Sequence, residues 1–257
     1  MVGRIAQFLD GWHQRRADQR LARLADQAAE MDSFELRALR NEARGTRRKI
    51  DQILQTADMQ LATPGLGIGQ PQIPLGTDWV WRPDPWRGAL PDIGAVASDG
   101  RTAIAENLAL YHDCPLGEIV VRQVRNRQEA DRTAYGFDVE VFGFQGSFLS
   151  LALNLPEAGI SGLKSRHLLR AEFVIDSERP VRAYARLNIK HGPNLSQPVC
   201  SLPIEDREKI AEFDLAYADI NDRRIERAWL DLIINDAEMT RIQIRDVVLS
   251  RRPRAEL

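Results

Sequence analysis

Residues 181–190, with the sequence Val-Arg-Ala-Tyr-Ala-Arg-Leu-Asn-Ile-Lys, decide the fold class of this chain. Apolar side chains at the odd positions alternate strictly with polar or aromatic side chains at the even positions. This period of two is typical of a β-strand that has one buried face and one solvated face. Residues 149–155 and 169–175 show the same alternation. The chain therefore contains a sheet of half-buried strands.

More strands are predicted along the rest of the chain, at 118–124, 135–144, 211–217, 228–235 and 241–249. Prolines and glycines lie in the gaps between these segments, among them Pro156, Gly159, Pro180 and Gly192. Eight or nine short strands with such gaps are typical of antiparallel sandwiches. The sequence predicts a mainly β fold, an antiparallel β-sandwich of the jelly-roll type, over residues 103–257.

The first 61 residues predict an α-helical arm, because they contain no proline and are rich in helix-forming residues. An apolar stripe predicts a first helix and includes Ile5, Phe8, Leu9 and Trp12. A second helix is expected to begin at Asp32, because Asp32 and Glu35 have the spacing of a capping box.

The second helix carries a seam of apolar or small residues at alternating steps of three and four, the heptad pattern. Its positions are Leu36, Leu39, Ala43, Thr46, Ile50, Ile53 and Ala57. A lone helix with so weak a seam is marginal in water, so it needs a partner. Two alternatives stay open: a hairpin folded back on its own domain, or an assembly arm that self-associates or docks on another protein.

Residues 62–102 predict a tether without regular structure, because they hold six prolines and seven glycines. Gly65, Gly67 and Gly69 do not form a phosphate loop, since no Lys-Ser/Thr follows them. The tether also holds three of the five tryptophans, Trp79, Trp81 and Trp86. Side chains this large and apolar are expected to pack against the sandwich rather than to bind sugar.

Composition excludes several classes of function. The formal net charge of −2 gives no overall attraction to nucleic acid or anionic membranes, and no 18-residue apolar run is present. Cys114 and Cys200 lie in no metal-binding or redox spacing, so we expect free buried thiols and no metal or cofactor, with their pairing left open. Because no secretory signal is recognisable, we expect synthesis in the cytoplasm.

Catalytic patterns are weak in this sequence. The four histidines, His13, His112, His167 and His191, fall in no known catalytic spacing, and Ser147 lacks a nucleophile elbow. A glycosidase pair needs only two carboxylates, and Glu172 with Asp214 or Asp231 is one conceivable choice among 37 acids. Asp219, Asn221 and Asp222 offer oxygen ligands for calcium, but a plain hairpin turn is the favoured interpretation.

The polar positions of residues 182–190 are the best candidates for binding. They are Arg182, Tyr184, Arg186, Asn188 and Lys190, one aromatic ring among several hydrogen-bond donors. Gripping an acidic or neutral sugar chain requires such a stacking surface together with forked donors. Trp229 is expected to extend this face, as are Tyr135 and Tyr217 if their strands are neighbours. The alternative is a solvated sheet face with no ligand.

The closing strand, within residues 241–252, has the form Ile-x-Ile-x-Asp-Val-x-Leu and follows a strand with the outward aromatic Trp229. This pair is similar to the closing hairpin of carbohydrate-binding-module jelly rolls. Together with the tryptophan tether, the whole chain resembles an uncharacterised family of Rhodobacter-like alphaproteobacteria, connected with the head spikes of gene transfer agents. The resemblance implies a spike base protein of these phage-like particles.

We therefore expect a non-enzymatic structural protein that links a capsid to a spike fibre, which binds capsular polysaccharide. Its expected partners are further copies of itself, capsid and spike-fibre proteins and the polysaccharide, and its expected place is the particle surface after assembly and release. A stand-alone polysaccharide-binding module and a sugar-active enzyme are the alternatives. The expected sugar-binding residues are Tyr184, Arg182, Arg186, Asn188 and Trp229.

Overall fold

The structure is a computed structural model that describes residues 20, 22–28, 31–61, 73–128, 130–203 and 206–254. The chain divides into two compact units, Met1–Gln52 and Ile53–Leu257. The predicted boundaries of arm, tether and sandwich, at 61 and 102, stay predictions. The predicted first helix, with Ile5, Phe8, Leu9 and Trp12, lies mostly outside the described residues.

Helix α1 (Ser33–Leu61) confirms the predicted start of the second helix. The Asp32 carboxylate accepts hydrogen bonds from the backbone N–H groups of Phe34 and Glu35, both at 2.8 Å. The Glu35 carboxylate in turn accepts the Asp32 N–H at 3.4 Å, which completes the capping box. Among the described seam residues, Leu36, Ile50 and Ile53 are exposed.

The first of two antiparallel sheets takes strands from both ends of the sequence. Its strands are β1 (Trp79–Trp81), β2 (Gly94–Val96), β5 (Ile119–Arg125), β6 (Tyr135–Val141), β8 (His167–Ser177), β12 (Glu208–Asp214) and β14 (Thr240–Pro253). Their order is β12-β8-β14-β6-β5-β2, and β1 pairs with the end of β14.

The second sheet consists of β3 (Arg101–Ala105), β4 (Leu108–His112), β7 (Leu149–Asn154), β9 (Arg182–His191), β10 (Asn194–Ser196), β11 (Val199–Leu202) and β13 (Ile225–Asn235). Their order is β10-β9-β13-β7-β4-β3, and β11 also pairs with β9. The described residues therefore contain fourteen strands, more than the eight or nine predicted. The additional strands have only three to five residues, too few for alternation to show in the sequence.

The inner surfaces of the two sheets form one apolar core, which gives the predicted sandwich. Phe173 and Val247 of the first sheet line the same small internal space as Leu151 and Leu230 of the second. Strand β8 keeps the predicted period of two, with buried and half-buried positions alternating along nearly its whole length. Strand β7 departs from the prediction, because its alternate positions are buried as well.

The prediction that 62–102 lacks regular structure is wrong for part of the segment. It contains β1, β2, the start of β3 and a one-turn helix, α2 (Asp84–Arg87). Its prolines do not prevent these elements, because Pro83 precedes the helix and Pro85 stands in its first turn, where no backbone N–H is needed.

The tryptophans pack on the sandwich, as predicted. Trp86 is fully buried, donates its indole N–H to the Ile244 carbonyl at 3.1 Å and meets the Phe137 ring edge-on at 5.0 Å. Trp79 lies against Gly159, where an added Cβ would come within 2.6 Å of the indole. The segment that precedes the sandwich in sequence is therefore part of its core.

Candidate functional site

The outward side chains of the first sheet are mostly charged and pair with one another; we call this surface the ion-pair face. Its pairs include Arg82–Asp246, Arg122–Glu140, Arg132–Glu208, Arg170–Glu172, Arg207–Asp176, Arg241–Asp138 and Arg245–Asp131. The pair of Arg82 with Asp246 is bidentate, with both distances at 2.9 Å. Charges satisfied in this way leave little for a ligand.

The outward side chains of the second sheet are different; we call this surface the aromatic face. Its members are Arg101, Ala103, Ala109, Tyr111, Ser150, Ala152, Asn154, Arg182, Tyr184, Arg186, Asn188, Lys190, Arg227, Trp229, Asp231 and Ile233. They point away from the core because their strand neighbours, such as Leu110, Leu151 and Leu230, belong to it.

Trp229 lies at one end of the aromatic face and is half-buried. The Arg227 guanidinium lies over its ring, 4.9 Å from the ring centre, and donates to the Asn154 side-chain oxygen at 2.7 Å. Asn154 is also the register partner of Trp229 on β7. A ring, a cation and an amide therefore meet at one point of the sheet.

Tyr111 forms a second point of the same kind. Arg101 lies over its ring at 5.9 Å and donates to its hydroxyl oxygen at 3.1 Å. Its register partner Ser150 is 4% exposed, and the Ser150 hydroxyl has no hydrogen-bond partner in the described part of the chain. Buried hydroxyls usually have a partner, and a buried water molecule is one group that satisfies such a hydroxyl.

The surface between the two rings is floored by small side chains. Ala152 on β7 pairs with Ala109 on one side and Asp231 on the other. Trp229 and Tyr111 lie two strands and four residues apart, roughly 16 Å from the usual strand spacing and rise. Ala152 is at the middle of this diagonal, so the face offers a shallow path from one ring to the other.

Two of the predicted binding residues, Arg186 and Asn188, form hydrogen bonds within the sheet. The Arg186 guanidinium donates to the Asp231 carboxylate at 2.8 and 3.0 Å, and the Asn188 amide donates to the same oxygen at 2.9 Å. Asn188 is fully buried, because Gln197 returns over it and donates to its oxygen at 2.7 Å. Asn188 therefore points away from the core, as predicted, but the prediction that it is solvated is wrong.

The remaining predicted residues stay accessible. Arg182 is exposed and pairs with Asp236 at 2.6 Å, which lowers the pKa of the Asp236 carboxyl and raises that of the guanidinium. Lys190 pairs with Glu226 at 3.1 Å. Tyr184 is half-buried beside Ile233. The structure thus places Arg182, Tyr184 and Trp229 on one surface, although their use as sugar ligands stays a prediction.

Some residues that the sequence suggested lie elsewhere. Tyr135 is on β6 of the first sheet, and Tyr217 ends the 3₁₀ turn (Leu215–Tyr217) that follows β12, so neither extends the aromatic face. Sequence reasoning missed Arg101 and Tyr111, because their strands are short and carry no distinctive spacing. Only a prediction of strand pairing that placed β4 beside β7 could have located them on this face.

The conceivable glycosidase pairs are not formed. Glu172 points outward from the first sheet and Asp231 from the second, so the sandwich separates their carboxylates. Asp214 lies four register positions from the partner of Glu172, about 13 Å at the usual strand rise, and caps the 3₁₀ turn at Ala216. None of these distances suits a pair of carboxylates acting on one bond.

The calcium candidates form a turn, as favoured. Asn221 accepts the backbone N–H of Arg223, and Asp222 accepts two hydrogen bonds from Ser165. No cluster of three or more metal-ligating side chains occurs within the residues that the structure describes. Both cysteines are free thiols; Cys114 is buried as predicted, whereas Cys200 is half-buried.

The whole chain, residues 1–257, matches the model of a family of unknown function, DUF6478, and belongs to that family. No curated protein matches it. Across the described helices, none has the length and apolar character needed to span a membrane.

Solved structures are similar to part of this chain at low sequence identity. A family 11 carbohydrate-binding module from Clostridium thermocellum has 12% identity and a TM-score of 0.38, and the match covers 65% of this chain and 99% of that one. A xylan-binding CBM22 domain from Paenibacillus barcinonensis has 10% identity, coverage of 64% and 97%, and a TM-score of 0.35.

The enzymatically active domain of tailspike protein 4 from bacteriophage CBA120 has 11% identity and a TM-score of 0.41. The match covers 56% of this chain but only 19% of the tailspike chain. The chain's own two antiparallel sheets establish the mainly β sandwich, and the match to carbohydrate-binding modules is a similarity only.

Proposed function

We propose that the protein binds a polysaccharide on the aromatic face, along the path from Trp229 over Ala152 to Tyr111. The observation that carries the proposal is the pairing of half-buried rings with outward donors at both ends of this path. Sugar rings bind to such surfaces because their apolar faces stack on aromatic rings while their hydroxyls require hydrogen bonds.

The Ser150 hydroxyl beside Tyr111 is shielded from solvent and has no hydrogen-bond partner among the described residues, so a bound sugar reaches it only if a neighbouring side chain moves. On the ion-pair face, the guanidinium groups of Arg122, Arg170 and Arg241 face carboxylates, and the ring-and-arginine pair of this sheet, Arg125 with Tyr135, lies at the ends of β5 and β6.

Titration calorimetry on a panel of soluble polysaccharides tests this proposal. Trp229→Ala is expected to lower affinity for the bound polymer at least tenfold, about the 1–3 kcal/mol attributed to a stacked ring. Tyr217→Ala is the matched control, because Tyr217 also carries an arginine, Arg254 at 5.6 Å, but lies outside the aromatic face. Equal affinities for the two variants would remove the proposal.

The finer role is structural: a non-enzymatic base protein of the head spike of a gene transfer agent, located on the particle surface. It is supported by the exposed apolar seam of α1, which suits an assembly contact. The polysaccharide-binding surface would then act as part of a spike assembly that joins capsid and fibre. A stand-alone binding module remains the alternative, and a sugar-active enzyme has the weaker support.

Oligomeric state separates these roles. Light scattering on a sizing column is expected to show an oligomer for the full chain and a smaller species for Ile50→Glu with Ile53→Glu, which places charges on the seam. A strict monomer of the unmodified chain would count against a spike base. Mass spectrometry of purified gene transfer agent particles is expected to detect the protein.

A further inference from the structure

We infer that the polysaccharide bound on the aromatic face is acidic, and that Arg101 and Arg227 hold its acid groups. The inference rests on the proposed function and adds the chemical class of the ligand. It follows from how the basic side chains of this face are partnered.

Three of the five basic residues of the aromatic face have a carboxylate beside them. They are Arg182 with Asp236 at 2.6 Å, Arg186 with Asp231 at 2.8 Å and Lys190 with Glu226 at 3.1 Å. Arg101 and Arg227 have none within 4.0 Å in the part of the chain that is described. Their charges are therefore not neutralised by neighbouring residues.

Arg227 lies 4.9 Å from the centre of the Trp229 ring, whereas Arg101, 5.9 Å from the centre of the Tyr111 ring, is held through the Tyr111 hydroxyl. A guanidinium over an aromatic ring is attracted by the ring quadrupole but keeps its full formal charge. Its N–H donors lie in the guanidinium plane, so contact through the flat face leaves several of them available. Arg101 uses one on the Tyr111 hydroxyl and Arg227 one on Asn154.

Position strengthens the argument, because the two arginines stand at the two ends of the path. Carboxylates of a uronic-acid polymer would meet a guanidinium at each end, with the sugar rings on Trp229 and Tyr111. Arginine binds carboxylates through two parallel hydrogen bonds, which suits it to this ligand. Such attraction between exposed charges is screened by salt.

Three acidic polymers test the inference: polygalacturonate, alginate and hyaluronate, each titrated beside its carboxyl-reduced neutral form. We expect the acidic member of a pair to bind more tightly at low salt and to lose this advantage as sodium chloride is raised. Arg227→Gln and Arg101→Gln are each expected to weaken binding of the acidic polymer about fivefold, as for an exposed ion pair, and to weaken binding of its neutral form less, because glutamine keeps a hydrogen-bond donor but not the charge.

Arg254→Gln is the control, because Arg254 also lies over a ring, that of Tyr217, but is paired with Asp214 and lies away from this face. Equal binding of acidic and neutral forms, with loss in Trp229→Ala, would overturn the inference and leave the proposed function intact. Acidic binding that ignores both glutamine variants would also overturn it. Failure of every pair to bind would remove both proposals.

Discussion

Arginine occurs on both outer faces of the sandwich, and the two faces use it differently. On the ion-pair face Arg82, Arg170 and Arg241 contact carboxylates of their own sheet or of neighbouring loops. On the aromatic face Arg101 and Arg227 contact rings. The aromatic face also has three basic residues paired with carboxylates, but it keeps two further guanidinium groups beside accessible rings, and this difference locates the proposed binding site.

The largest expected effect comes from the core that both faces share. Trp86→Ala removes a fully buried indole and its hydrogen bond to Ile244, and should lower the free energy of unfolding by about 3–5 kcal/mol. Urea unfolding measures the change. Because both faces rest on this core, polysaccharide binding should fall together with stability; loss of binding in a protein of normal stability would break the account.

On the ion-pair face, Arg82→Ala should cost about 3 kcal/mol, because it leaves the buried Asp246 carboxylate without its partner. Burial raises the pKa of Asp246, so proton uptake limits the penalty. Arg122→Ala is the milder comparison: it breaks the exposed pair with Glu140 and a 3.8 Å contact with buried Asp138, which keeps Arg241, and should cost about 1 kcal/mol. Polysaccharide binding below the melting temperature should stay unchanged in both variants. Weakened binding would contradict the proposal that the ion-pair face takes no part in it.

Within the aromatic face, Arg186→Ala and Tyr184→Ala should behave differently. Arg186→Ala takes two hydrogen bonds from buried Asp231 and should cost about 1.5–3 kcal/mol. Tyr184→Ala should cost about 0.5 kcal/mol or less, as for a surface position, and affect binding alone. Thermal melting measures the stability of the two variants, and titration calorimetry on the same samples measures their binding. Equal stabilities would mean that the hydrogen bonds of Arg186 to Asp231 do not stabilise the fold.

The smallest expected effect is a pH dependence of stability that comes from His167 on the first sheet. His167 begins β8, and burial lowers its pKa. As pH falls below about 6.5, the unfolded chain takes up this proton first, so stability present above that pH is lost on the way to the lower folded pKa. Urea unfolding between pH 7 and 5 should show that the free energy of unfolding falls less steeply with falling pH in His167→Asn than in the unmodified protein. The same pH dependence in both proteins would contradict the lowered pKa of His167.

Local patterns in the sequence predicted local structure well. The capping box at Asp32 and the alternation of β8 depend on residues only a few positions apart, and both are present. The start of α1 and the inward set of β9 are therefore readable from the sequence alone.

Non-local contacts could not be predicted in the same way. Arg186 and Asp231 are 45 residues apart, and Trp79 pairs with Arg251 from the other end of the chain. Burial of Asn188 depends on Gln197, which returns over the sheet after β10. Residues of the aromatic face became neighbours only through strand order, so composition and spacing identified Tyr184 and Trp229 but not Tyr111.

A crystal structure of the protein with an oligosaccharide of the best-bound polymer tests the central claim most directly. The account predicts sugar rings on Trp229 and Tyr111 and a chain that crosses Ala152. Sugar bound against the ion-pair face or at an end of the sandwich, with the aromatic face empty, would contradict it.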